Sequence, residues 1–82
     1  MSETAYTADG TAVPMRVGDT LTDEFGTTAI EYLGCGEWRA KIAPTGSRFV
    51  TVGEVFTKPQ QAQDYAVARW FEEYTLAEAA TL

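Results

Sequence analysis

The chain of 82 residues has no histidine and one cysteine, and it sets six lysines and arginines against twelve aspartates and glutamates. Without histidine the commonest general base near neutral pH is missing. Neither Ser2 nor Ser47 therefore has the imidazole that activates a hydroxyl nucleophile. A lone cysteine cannot build the common zinc sites, which draw on several Cys and His side chains. The patterns G-x-x-x-x-G-K-[ST] and G-x-G-x-x-G, which cradle phosphates, are absent. Asp19, Asp23 and Glu24 lack the alternating ligands and bidentate Glu of a calcium loop, and they read as a solvated turn. The expectation is a protein that is not an enzyme and that uses no metal and no cofactor.

Cys35 has no partner for an internal disulfide, which fits a reducing compartment. Between Gly34 and Gly36 it reads as a small turn residue rather than a redox centre. No run approaches the roughly 20 apolar residues of a membrane span. No basic segment followed by an apolar one marks a signal peptide. These absences lead us to expect a soluble, cytoplasmic protein with no membrane partner.

What the chain does have is 45% hydrophobic residues, including Trp38, Trp70, Phe25, Phe49, Phe56, Phe71 and four tyrosines. That suffices for one small core, with a radius of gyration of roughly 12 Å. MSETAYTADGTA is small and polar, so residues 1–12 are expected to be a flexible arm and residues 13–82 a single α+β domain.

Apolar segments around Val13 to Val17 and Thr27 to Leu33 read as strands, with Pro14 confining the first to an edge or an irregular stretch. From Glu37 to Ala43 the alternation is clean, with Trp38, Ala40 and Ile42 on one side and Arg39 and Lys41 on the other. The stretch PTGS (44–47) suggests a hairpin turn, and Arg48 to Phe56 the returning strand. Thr57 with Gln60 has capping-box spacing, and Pro59 suits a first helical turn. From Gln60 to about Tyr74, Ala62, Ala66, Val67, Trp70, Phe71 and Tyr74 recur at helical spacing, and Thr75 to Glu78 extends this helix or starts a short terminal turn. The expected fold is a small antiparallel sheet of three to four strands with one C-terminal helix packed on one face. Trp38, Ile42, Val67, Trp70 and Phe71 are expected to fill the space between. An SH3-like barrel with the helix appended is the alternative.

Gly36-Glu37-Trp38-Arg39-Ala40-Lys41-Ile42, then Val52-Gly53, then Thr57 and Tyr65, resemble the AP2-type DNA-binding domain and the related arm-binding domains of phage integrases. The resemblance covers about residues 36–66. It implies that the outer sheet face enters the major groove, which assigns Arg39, Lys41, Phe49 and Thr51 to nucleic acid and Tyr65 to the phosphate backbone. The preceding strand departs from the pattern, since AIEYLGCG carries Glu31 where the family sets arginines.

The charge map decides how these readings rank. Residues 1–37 hold one cation against seven acids (−6), residues 38–58 four against one (+3), and residues 59–82 one against four (−3). Phosphate contacts dominate DNA affinity, and few cations are available for them. The leading expectation is therefore a small acidic regulator or inhibitor, of a kind a phage or mobile element encodes. An acidic face of Asp19, Asp23, Glu24 and Glu31 would dock on the basic, nucleic-acid-binding surface of a host protein. A weak DNA-binding module of AP2 or arm type and a small virion structural component remain as alternatives.

Overall fold

The computed structural model describes residues 3–7, 9–43 and 48–81, with side chains in the helix as far as Glu73. The expected turn at 44–47 and the side chain of Tyr74 lie outside the described residues. The architecture is α+β, with a two-stranded sheet, a four-stranded antiparallel sheet and one C-terminal helix.

Strands β1 (Glu3–Tyr6) and β2 (Ala12–Met15) pair antiparallel, with Glu3 opposite Met15 and Ala5 opposite Val13. Residues 3–6 are thus a strand and not part of a flexible arm. Ala5 and Met15 are both buried in the common core, and that burial offsets the entropy of ordering so polar a segment. Pro14 is tolerated because each strand of a two-stranded ribbon has one unpaired edge.

The larger sheet runs β3 (Thr20–Thr22), β4 (Thr28–Gly34), β5 (Glu37–Ile42) and β6 (Val50–Phe56), neighbours in sequence being neighbours in space. It is an open sheet with β3 and β6 on opposite edges, which replaces the SH3-like alternative. Ile30 faces Ala40, Tyr32 faces Trp38, and Ala40 faces Val52, so the buried residues of three strands share one face. The rings of Tyr32 and Trp38 lie 4.7 Å apart and tilted.

The register of β5 with β6 shifts between Arg39, opposite Val55, and Ala40, opposite Val52. Gly53 and Glu54 bulge out between these pairs, and Gly53 takes φ +74°, a left-handed value that favours glycine. A Cβ there would strike the Tyr65 ring, 2.7 Å from Cζ. Tyr65 in turn packs on Phe56 with ring centroids 5.3 Å apart.

Helix α1 (Pro59–Thr81) crosses the buried face and touches β4, β5 and β6 as well as β1. Pro59 stands in its first turn as expected, but the first carbonyl to accept is that of Lys58, from the Ala62 amide at 3.3 Å. The capping box of Thr57 with Gln60 does not form. Gln60 donates instead to Asp64 at 2.9 Å, and the Thr57 hydroxyl donates to the Gln61 side chain at 3.5 Å.

Among the described side chains of the helix, Ala62 and Ala66 are fully buried, and Trp70 is half-buried against the core. Val67 and Phe71, expected inside, are 40% and 58% exposed. Trp38, Tyr32 and Met15 fill the space from the sheet side, so the helix approaches closely only with its small residues inward. Among the described residues no helix is long and apolar enough to cross a membrane.

Candidate functional site

Two turns of similar design stand beside each other at one end of the molecule. In the β1–β2 turn the Thr7 amide donates to the Thr11 carbonyl at 3.0 Å, and the Gly10 amide to the Thr7 carbonyl at 2.9 Å. The Asp9 carboxylate accepts from the hydroxyls of Thr7 and Thr11 and from the Thr11 amide. In the β3–β4 turn the Asp23 carboxylate accepts from the Thr27 amide at 2.8 Å, its hydroxyl at 2.6 Å and the Thr28 hydroxyl at 3.1 Å. Each aspartate thus ties its own loop shut, a usual task for Asp in a turn.

The two turns and the flank of α1 enclose a groove of about 580 Å³. Leu21, Phe25, Ile30, Ala66 and Val67 give it apolar lining, and Asp9, Asp23 and Glu24 line it as well, with Gln63 and several threonines. Phe25 is 77% exposed at the tip of a loop that Asp23 holds in shape. No lysine or arginine lines the groove among the described residues.

The hydrogen bond from the Thr7 hydroxyl, with those from Thr11, holds the Asp9 carboxyl below the ordinary carboxylate range. Burial pushes the Asp23 carboxyl up, but the bonds from Thr27 and Thr28 together outweigh it and leave the group lowered too. A lowered folded-state value stabilises the fold above the unfolded value of about pH 3.9, and the gain disappears as pH falls through the lower folded value. Asp23→Ala is expected to lose about 1 kcal/mol near neutral pH, the carboxylate being partly solvated. Thermal melts of both proteins from pH 7 to 3 should show the wild type's lead shrinking only in the acid part of that range.

Of the four expected acidic residues, Asp23 and Glu24 come together at the groove. Asp19 sits at the other end of β3, where its carboxylate accepts from the Arg16 amide at 2.9 Å. Glu31 lies on the sheet face away from the helix, in an ion pair with Lys41 at 3.0 Å. The single acidic face expected from the sequence is therefore split, and Asp9 joins the pair at the groove.

Among the residues assigned to nucleic acid, Arg39 and Thr51 are exposed on the outer face, and Phe49 is half-buried just before β6. Lys41 is engaged by Glu31, and Tyr65 packs on the helix side of the sheet against Phe56. The outer face thus holds Arg39, Lys41 and Thr51, with Lys41 neutralised.

Asp9, Phe25 and Val67 escaped the sequence reading as parts of one site. A signal was present in TADGT and DEFGTT, each an Asp followed by Gly and Thr. Cys35 is exposed with φ +53°, between left-handed Gly34 and Gly36, in the turn joining β4 to β5. No family model, curated protein or solved structure matches the chain.

Proposed function

We propose that the protein is a non-catalytic binding module that docks on a basic surface of another protein, as a small regulator or inhibitor does. The observation that carries this reading is that Asp9, Asp23 and Glu24 line a largely apolar groove with no cation among its described lining residues. Carboxylates placed in this way attract a basic partner and speed its approach, while the groove and Phe25 supply the desolvated contact that holds it. Because Asp9 and Asp23 are fixed by their threonines, little ordering is left to be lost on binding.

A second reading is duplex DNA on the outer sheet face, favoured by Arg39, which is exposed and without an ion-pair partner among the described residues. The Lys41–Glu31 pair weakens that reading, because it neutralises one of the few cations on that face. Duplex affinity at physiological salt is expected to be no tighter than about 10⁻⁴ M.

Capture from nuclease-treated lysate tests the two readings together. A basic protein held by the wild type, released by salt and lost with Glu24→Lys, supports the binding module. Submicromolar duplex binding by fluorescence anisotropy, abolished by Arg39→Ala, would transfer the function to DNA.

A further inference from the structure

We infer that the groove receives a partner segment that carries a large apolar side chain flanked in sequence by lysine or arginine. The inference rests on the binding-module reading and names what that module grips.

The lining sets the first half of this occupant. Leu21, Phe25, Ala29, Ile30, Ala66 and Val67 supply an apolar lining among threonines, Gln63 and three acids, so an apolar side chain finds contact there while an acidic one is opposed. A volume of about 580 Å³ falls within the range of small-ligand clefts and is several times what one side chain fills, so it admits the anchor together with part of the segment that carries it. An aromatic or leucine side chain uses such a space better than a small one, and Phe25 and Val67 both line it. Phe71 stands one helical turn beyond Val67, 58% exposed, and prolongs the apolar contact along the helix.

The carboxylates set the second half. Asp9 comes from one loop and Asp23 and Glu24 from another, and all three line the groove. With both aspartates held ionised by their hydrogen bonds, this charge persists below neutral pH. An anchor residue entering the groove brings its sequence neighbours within reach of the carboxylates. Lysine or arginine there is attracted, and aspartate or glutamate is repelled.

A set of three peptides tests this by NMR titration of the labelled full chain: Gly-Lys-Arg-Trp-Arg-Lys-Gly, the same peptide with Ala for Trp, and Gly-Ser-Ser-Trp-Ser-Ser-Gly. The basic tryptophan peptide should bind at least tenfold more tightly than either other, shift the amides of Ile30, Ala66 and Val67, and weaken with salt. Val67→Lys, at a solvent-facing position, should reduce its affinity at least tenfold with the melting temperature unchanged.

If the two basic peptides bind equally, insertion into the groove is overturned while docking on a basic surface stands. If the neutral tryptophan peptide binds as well as the basic one, the role of the carboxylates is overturned. Binding by none of the three overturns both the inference and the reading beneath it. Self-association on sedimentation, lost with Phe25→Ser, would assign the groove to a second copy of the chain and overturn a basic partner segment.

Discussion

Gly53→Ala is expected to destabilise the protein by about 3 kcal/mol, a large effect for one methyl group on an exposed bulge. Two terms combine. The left-handed backbone at φ +74° costs a residue with a Cβ about 1–2 kcal/mol. The new methyl would also overlap the Tyr65 ring, which is backed by Phe56 and cannot retreat without losing that contact, adding about 1–3 kcal/mol. A double-mutant cycle separates the two in urea unfolding. In a Tyr65→Ala background the same change should cost only the backbone part, about 1–2 kcal/mol. Equal costs in both backgrounds would show that the ring does not oppose the methyl.

Trp38→Ala should be more damaging, at about 3–5 kcal/mol. Trp38 is the largest side chain with under 2% exposure, it contacts the Tyr32 ring, and it stands opposite Tyr32 on one side and Phe56 on the other. A domain of 82 residues has a total stability of roughly 4–12 kcal/mol, so the variant should be substantially unfolded at 37 °C. Circular dichroism melts decide the point, with Trp70→Ala as comparison. Trp70 is only half-buried, and its loss should be clearly the milder of the two. A Trp38→Ala melt matching the wild type would remove Trp38 from the centre of the core.

The strands with regular alternation were legible in the sequence. Trp38, Ala40 and Ile42 point inward as their period-two spacing requires, and Arg39 points out. The helix was legible in position but not in rotation. Its largest apolar residues suggested a buried stripe through Val67 and Phe71, while packing against Trp38 and Tyr32 selects Ala62 and Ala66. Hydrophobicity alone favours the larger side chains. Which of them fit depends on the volume already occupied by the sheet, and that is not a local property of the helix.

Strands β1 and β3 were hidden for a related reason. ETAY and TLT are too short and polar to stand out, and they pair because Ala5 and Leu21 meet a core formed by distant residues. For the site, acidity near Asp23 and Glu24 was visible, but the arrival of Asp9 depends on the ribbon formed by β1 and β2. Glu31 was indistinguishable in sequence from the acids at the groove until its cross-strand pairing with Lys41 took it out of that group.

Both margins of the larger sheet are poor templates for an incoming backbone. One is the three-residue β3, and the other, β6, is broken by the bulge at Gly53 and Glu54. An extended peptide zipped onto either margin would run out of ladder within a few residues, which disfavours fibre growth by edge-to-edge pairing. Recruitment by strand addition is disfavoured for the same reason. Partner choice at the larger sheet therefore falls to side chains, and a point substitution at the groove should switch specificity without altering how that sheet assembles.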